Sequence, residues 1–266
     1  MFDDNVKTEA IPERVFELCK MVDNKPIAES DLKEMFEPIA LGTNATSYFS
    51  TVRGAAEELH LIKKQDGLIE FVGDKTCIKS MEQFRRYCNS VVWKNENTFF
   101  YRIAQTLLNS NDTFFGENIT SLTVLSKMRE AISPSINEPM MLGERFWLAF
   151  LGFGFVHEAF QKITFLPNMY IAMKDFISLC DFEKGKDYTV REFLTAICEH
   201  SKVAFDGIYE TKQFNLAASN ALRQLDKSRE IKISRNLDSK EVWRLYKLET
   251  QNITEITHIT IRGIIR

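Results

Sequence analysis

The stretch that decides the fold is NATSYFSTVRGAAEELHLIKKQDGLIEFV, which covers residues 44–72. Apolar side chains recur in its first half at intervals of three and four residues. They are Phe49, Val52, Ala56 and Leu59. This spacing predicts an amphipathic helix that begins at Asn44 or Thr46 and buries one face. Two short apolar segments separated by a Gln-Asp-Gly turn follow at once, so the sequence predicts a β-hairpin directly after the helix.

The other face of this predicted helix carries side chains that can form hydrogen bonds. They are Ser47, Tyr48, Ser50, Thr51 and Arg53. Two more helices are predicted upstream, at residues 11–22 and 30–36, with Pro12 in the first turn of one and Ser30 as the cap of the other. Three helices and a hairpin in this order resemble a winged helix-turn-helix module over residues 11–72. The resemblance implies DNA binding, although domains of this short plan also occur that bind only protein.

The last third of the chain repeats this plan with a diverged sequence. Thr189 is placed to cap a helix that runs to about Glu199, and Asn215 is placed to cap a second candidate recognition helix. Alternating apolar residues predict a hairpin between residues 231–234 and 243–246. The strand at residues 257–261 either extends this sheet or pairs with another subunit. The resemblance therefore implies a second winged helix-turn-helix module.

Residues 79–185 predict a helical middle domain, because apolar residues keep helical spacing around residues 81–92, 99–108, 122–128 and 170–180. Residues 143–160 carry aromatic side chains on every face, which predicts a helix inside a bundle or at a subunit interface. The predicted fold class is mainly α with small β-hairpins. Winged helix-turn-helix modules at residues 1–78 and 186–266 flank the helical middle domain.

Charge is distributed unevenly along the chain, whose formal net charge is −3. The first 78 residues hold 9 Lys and Arg against 15 Asp and Glu, whereas the last 81 hold 14 against 11. Between Arg223 and Lys247 there are eight basic residues and four acidic ones. We therefore expect the two ends to meet different partners, with DNA favoured at the basic end.

Duplex DNA attracts Lys and Arg to its phosphates, and Arg and Asn can read base edges in the major groove. We predict base contacts from Asn220 and Arg223. The whole predicted set in the C-terminal module is Asn215, Ser219, Asn220, Arg223, Lys227, Arg229, Lys232, Arg235 and Lys240. The set in the N-terminal module is Ser47, Tyr48, Thr51, Arg53, Lys63 and Lys64. Acidic neighbours of the latter set leave a protein partner open as the alternative to a short stretch of duplex.

Catalytic, metal and cofactor sites are not predicted. The pair His157-Glu158 is followed by Gln161, where the helical zinc-protease pattern requires a second histidine. Gly152 and Gly154 lack the third glycine of a dinucleotide-binding loop. The five cysteines are odd in number and widely scattered, which favours free thiols in a reducing cytoplasm. The longest apolar run covers residues 146–156 and is too short to span a bilayer, so we expect no membrane segment.

These features together predict a non-catalytic, cytoplasmic DNA-binding protein. It resembles prokaryotic transcription regulators and DNA-targeting subunits of larger complexes. Winged-helix proteins commonly form dimers, and a homodimer is therefore expected. The alternative is an adaptor whose winged helices bind protein partners, with the acidic N-terminal domain as the docking surface.

Overall fold

The computed structural model describes residue 2 and residues 7–41, 48–114, 119–159, 162–247 and 254–263. Its architecture is mainly helical with small antiparallel sheets, as the sequence predicts. In the part of the chain that the structure describes, no helix combines the length and apolar character needed to cross a membrane.

The N-terminal region folds as three helices around a small sheet. Its elements are α1 (Pro12–Val22), β1 (Ile27–Ala28), α2 (Glu29–Phe36), α3 (Tyr48–Glu58), β2 (Ile62–Gln65) and β3 (Leu68–Phe71). The sheet has the strand order β1-β3-β2 and is antiparallel throughout. Helix α3 packs against α1, and its apolar stripe is buried as predicted. Asp66 and Gly67 adopt positive φ angles of 52° and 78°, which a tight hairpin turn requires.

The sequence predicts the first residue of α3 and the capping residue of α2. Asn44 and Thr46 lie outside the described residues, as does Ser47. The prediction that Ser30 caps α2 is wrong, because the helix begins one residue earlier, at Glu29, and its N-cap residue is Ala28. The hydroxyl of Ser30 instead donates a hydrogen bond to the Asp31 carboxylate.

The middle of the chain forms a helical layer with one hairpin. Its elements are α4 (Met81–Val91), α5 (Phe99–Asn109), α6 (Ser121–Ala131), α7 (Glu138–Leu151), β4 (Gly154–Ala159), β5 (Lys162–Pro167) and α8 (Tyr170–Leu179). Side-chain caps fix the starts of α4, α5, α6 and α7. The capping residues are Ser80, Thr98, Thr120 and Asn137. The side chain of Trp147 is fully buried and donates a hydrogen bond to the carbonyl of Ala10, so α7 also holds the N-terminal leader.

The predicted helix over residues 143–160 is wrong in its second half. Helix α7 ends at Leu151, and Gly152 follows in the left-handed conformation with φ 81°. Strand β4 then pairs with β5, with Phe155 opposite Leu166. Gly154 has φ 141°, and a Cβ atom there would lie 2.5 Å from the carbonyl oxygen of Leu166. Two glycines in conformations that other residues rarely adopt therefore end the helix and start the hairpin.

The C-terminal region again combines helices with a small sheet. Its elements are β6 (Asp187–Thr189), α9 (Val190–Cys198), α10 (Ile208–Thr211), α11 (Leu216–Lys227), β7 (Ile231–Ser234), β8 (Trp243–Arg244), β9 (Glu255–Ile256) and β10 (His258–Ile261). Thr189 caps α9 in a reciprocal capping box with Glu192, and Asn215 caps α11, as predicted. Helix α8 packs against α11.

The predicted hairpin between residues 231–234 and 243–246 is wrong. Strand β7 pairs with β10, so that Ile231 lies opposite Ile261, while Trp243 pairs with Ile256. The alternation of apolar residues suits any antiparallel partner and does not choose among them. Strand β10 lies between β6 and β7 in the order β6-β10-β7, so both its edges are occupied. It therefore extends the sheet, and pairing of this strand with another subunit is excluded.

One order of elements recurs at the two ends. Each end has the order helix, strand, helix, helix, strand, strand. The second copy contains in addition the short helix α10 and the small β8–β9 pair. In each sheet the last of these three strands lies between the other two. The first helix packs against the third, α1 against α3 and α8 against α11. The order of elements and the way in which they pack are therefore the same at both ends.

A buried ion pair joins α4 to α8, the helix that packs against α11 of the C-terminal region. Asp175 of α8 is 1% exposed and accepts two hydrogen bonds from Arg85 of α4, at 2.8 and 3.0 Å. The amide of Asn89 donates to the same carboxylate at 2.9 Å and to the carbonyl of Leu151 at 3.1 Å. Because every partner is a strong donor, this network satisfies a carboxylate that would otherwise be costly to bury.

Candidate nucleic-acid interface

Helix α11 is positioned at its start by side-chain hydrogen bonds. The Asn215 side-chain oxygen accepts the N–H of Ala218 at 2.9 Å, and its amide donates to the carbonyl of Ala204 at 2.8 Å. The N–H of Leu216 donates to the Asn111 side chain at 2.8 Å. The oxygen and the nitrogen of the Asn215 side-chain amide are therefore both used to fix the first turn of α11. This role differs from the predicted DNA contact.

The predicted reading face of α11 is covered by residues 243–247. The hydroxyl oxygen of Ser219 accepts the N–H of Tyr246 at 2.7 Å, and the guanidinium of Arg223 donates to the Tyr246 carbonyl at 2.8 Å. Ser219 is fully buried, so the prediction that it contacts DNA is wrong. Asn220 and Arg223 are half-buried, and burial lowers the pKa of Arg223. Ser219 and Arg223 therefore bind the backbone of Tyr246, where contacts to DNA were predicted.

The remaining predicted cations of the C-terminal region lie at the surface. They are Lys227, Arg229, Lys232, Arg235 and Lys240, and all are exposed. Arg235 forms an ion pair with Glu255 at 2.6 Å. Within the described ranges, the other four form no ion pair. Their charges are therefore available to an anionic partner.

Every predicted cation of the N-terminal region has a carboxylate partner. Arg53 pairs with Glu29 and with Glu57, Lys64 pairs with Glu29 at 2.5 Å, and Lys63 pairs with Glu70 at 3.0 Å. The hydrogen bond from Lys64, together with the charges of Lys64 and Arg53, lowers the pKa of Glu29. These cations are therefore largely neutralised within the fold and offer little attraction to phosphate.

The N-terminal surface also exposes large apolar side chains. Their exposed fractions run from 44% to 81%, and they are Met35, Ile39, Tyr48, Leu68 and Val72. Arg14 lies over the ring of Tyr48 at 5.8 Å, and Thr51 is half-buried. Exposed apolar groups beside neutralised charges are more typical of a protein-binding surface than of a DNA-binding one.

The C-terminal sheet brings together two cations that the sequence interpretation missed. Arg262 follows β10, and its N–H donates to the carbonyl of Glu230 at 2.9 Å. Lys184 precedes Gly185, whose N–H donates to the carbonyl of Ile261 at 2.7 Å. Both side chains are exposed, and they join Arg229 and Lys232 at this end of the sheet. Their proximity depends on strand pairing between distant segments, for which the sequence carries no local signal.

Across the described ranges, no three His, Cys, Asp or Glu side chains are arranged to hold a metal ion. All five cysteines are free thiols. Burial raises the pKa of each, to about 12 for Cys180. They are therefore protonated near neutral pH and react slowly as nucleophiles.

The outer side of the C-terminal sheet and the end of α11 thus carry exposed cations that form no ion pair among the described residues. In the N-terminal region the predicted cations are paired with carboxylates and lie beside exposed apolar groups. Comparison of the chain with protein-family models, curated proteins and solved structures finds no match.

Proposed function

We propose that this chain is a non-catalytic DNA-binding protein in which two winged helix-turn-helix modules flank a helical middle domain. The observation that carries the proposal is the recurrence, at both ends, of one element order and one sheet order. In this interpretation α3 and α11 occupy the place of recognition helices. The C-terminal module then begins with α8, at Tyr170, because α8 packs against α11 as α1 packs against α3.

The C-terminal module is the proposed DNA contact. Its support is the contrast between the two ends: Arg53, Lys63 and Lys64 are paired with carboxylates, whereas Lys227, Arg229, Lys232 and Lys240 have no ion-pair partner among the described residues. Attraction between such cations and phosphates releases counterions and is independent of base sequence. A role as a transcription regulator or as a DNA-targeting subunit of a prokaryotic complex fits this chemistry, and the free thiols fit a reducing cytoplasm.

We also propose that two copies associate through the edge of β4 that pairs with no other strand among the described residues, hereafter the open edge. The N–H of Phe165 in β5 donates to the carbonyl of Phe114, away from β4, so its partner Val156 directs its own backbone groups to the free edge. Phe155 and Leu166 lie opposite each other, with exposed fractions of 55% and 39%. An open strand edge with exposed apolar neighbours is a template for pairing with another chain.

The proposed function is tested by fluorescence anisotropy with a labelled random duplex of about 30 base pairs, titrated at salt concentrations from about 50 to 200 mM. We expect sub-micromolar binding at the lowest salt. Its log–log salt dependence should have a slope of about −0.9 for each phosphate contacted. Folded protein that does not bind the duplex at about 50 mM salt would overturn the proposal.

A second candidate function is that of a protein adaptor, with the N-terminal module as the docking surface. The paired charges of Arg53, Lys63 and Lys64 and the exposed side chains of Met35 and Ile39 favour it. The same titration separates the two candidates. Absence of duplex binding at low salt favours the adaptor, whereas salt-dependent binding that involves the C-terminal cations favours the DNA-binding protein.

A further inference from the structure

We infer that the C-terminal module holds duplex DNA by its phosphate backbone, through four cations at one end of the sheet β6-β10-β7, and that α11 does not read bases in the major groove. The four residues are Lys184, Arg229, Lys232 and Arg262, hereafter the sheet-end cations. The inference rests on the proposed DNA-binding function and specifies which surface makes the contact.

Backbone pairing brings the sheet-end cations together. Lys232 lies opposite Thr260 in the register of β7 and β10. Two residues further along the chain, Arg262 is hydrogen-bonded through its N–H to Glu230, which is the direct neighbour of Arg229. Lys184 is attached to the same end by the bond between Gly185 and Ile261. Three chain segments therefore deliver cations to one small area.

Alternation along the strands sets the direction of two of these side chains. Ile231 and Ile233 of β7 are buried, as are Ile259 and Ile261 of β10. Because successive side chains point to opposite faces of a sheet, Lys232 and Thr260 lie on the outward face, and Arg262 follows the same alternation. The sheet therefore covers the core with one face and presents positive charge on the other.

Two of the three neighbouring carboxylates are paired with other cations, and the third, Asp187, is hydrogen-bonded to a neutral hydroxyl. Glu230 accepts a hydrogen bond from Tyr170 at 2.7 Å and pairs with Lys174 at 3.1 Å. Asp187 accepts a hydrogen bond from Thr260, and Glu183 pairs with Lys186 at 2.6 Å. Over the part of the chain that is described, none of the sheet-end cations forms an ion pair. Four cations against the single unpaired carboxylate of Asp187 leave an excess of positive charge for an anionic polymer.

Base reading by α11 would require its polar face to enter the groove. Residues 243–247 cover that face through the bonds of Tyr246 to Ser219 and Arg223. Contacts to phosphate position a protein on DNA without carrying sequence information. The module should therefore bind duplexes of different sequence with similar affinity.

The test compares three variants of the full chain with wild type in the duplex titration. The first replaces the sheet-end cations, as Lys184→Gln, Arg229→Gln, Lys232→Gln and Arg262→Gln. The second also removes four positive charges, but from residues 25–79 in and next to the N-terminal region. It carries Lys25→Gln, Lys33→Gln, Lys75→Gln and Lys79→Gln. The third, Asn220→Asp, places a negative charge on α11. Circular dichroism confirms that each variant is folded.

We expect the first variant to lower the magnitude of the salt slope by about 3.6, since each lost phosphate contact removes about 0.9. Its affinity at about 100 mM salt should fall by at least about tenfold, while the other two variants bind as wild type does. Loss of binding in Asn220→Asp with an unchanged first variant would overturn the inference, as would equal losses in the first and second variants. Failure of wild type to bind at all would instead overturn the proposed function.

Discussion

Glu144 lies in the interior of the helical middle, and neither of its carboxylate oxygens has a hydrogen-bond partner among the residues that the structure describes. Burial therefore raises its pKa well above the usual value of a glutamate. The unfolded chain ionises this group above about pH 4.3, whereas the folded chain keeps the proton. Stability from this group is thus complete below the unfolded pKa and is lost as the pH rises toward the folded pKa, at up to about 1.4 kcal/mol per pH unit.

Replacement Glu144→Gln keeps the shape of the side chain and removes its ionisation. We expect the variant to gain stability relative to wild type as the pH rises from 5 to 7, because only wild type must retain a proton in the folded state. Urea denaturation at both pH values measures the difference. The control Glu138→Gln changes an exposed glutamate of the same helix and should show no comparable trend. A gain for Glu144→Gln that is equal at both pH values would contradict the prediction.

Local residue patterns predicted the helix caps at Thr189 and Asn215 but failed at Ser30, where α2 begins one residue earlier. Thr189 and Glu192 form a capping box at the spacing that the sequence displays, and Asn215 caps α11. The burial of Ser219 was not predictable in this way, since its partner Tyr246 lies 27 residues away in the chain. Contacts between segments that are distant in sequence decide whether a polar residue of a helix meets solvent.

Among the secondary-structure elements, Gly152 and Gly54 differ in whether the structure has room for a Cβ atom. Gly152 ends α7 with φ 81°, and a Cβ atom there would lie 2.7 Å from Cβ of Ile171 and 2.8 Å from the backbone nitrogen of Ala172. Gly54 lies within α3, and a Cβ atom there would have no neighbour within 4 Å. The same substitution should therefore have opposite effects at the two positions.

We expect Gly152→Ala to destabilise the chain by about 1–3 kcal/mol through backbone strain and crowding. Gly54→Ala should stabilise it by about 0.5–1 kcal/mol, because alanine loses less conformational entropy in a helix than glycine. Urea denaturation of both variants measures the two changes. A stabilising Gly152→Ala would show that the end of α7 does not depend on the left-handed conformation.

Strand partners were the least predictable elements. The apolar alternation of β7 was recognised in the sequence, but its partner β10 lies beyond Trp243, the residue first expected to face it. Apolar residues at every second position predict a strand but do not predict which other strand it pairs with. A related limit applies to residues 143–160, whose aromatic side chains on every face predict a buried helix but also fit a helix followed by a packed hairpin.

For the whole molecule, the proposed association through β4 makes a prediction about molecular mass. Phe155→Lys places a charge beside the open edge, which disfavours pairing between strands. We expect wild type to sediment as a dimer and this variant as a monomer in velocity ultracentrifugation. Leu237→Lys is the matched control, since Leu237 is 85% exposed in the segment between β7 and β8. A dimer that survives Phe155→Lys would remove β4 from the interface.

The recurrence of helices followed by a small sheet at both ends was predicted in part, since the sequence interpretation left α8 in the middle domain and gave β7 the wrong partner. The difference in net charge between the two ends was predicted from the counts of basic and acidic residues, but the ion pairs within each end were not. Only the folded chain places Glu29 between Arg53 and Lys64, and only the pairing of β10 brings Arg262 to Arg229. Side-chain partners across elements therefore add to the difference that composition already sets between the two ends.

The Asp175 network also has a mechanical consequence. Helix α1 touches α4 through the rings of Phe16 and Phe84, whose centroids are 5.5 Å apart, α4 is joined to α8 by Asp175, and α8 packs on α11. These contacts form an unbroken series from α1 in the N-terminal region to α11 in the C-terminal region. If the N-terminal and C-terminal regions each bound a ligand, these contacts would hold the two ligands at a fixed relative orientation.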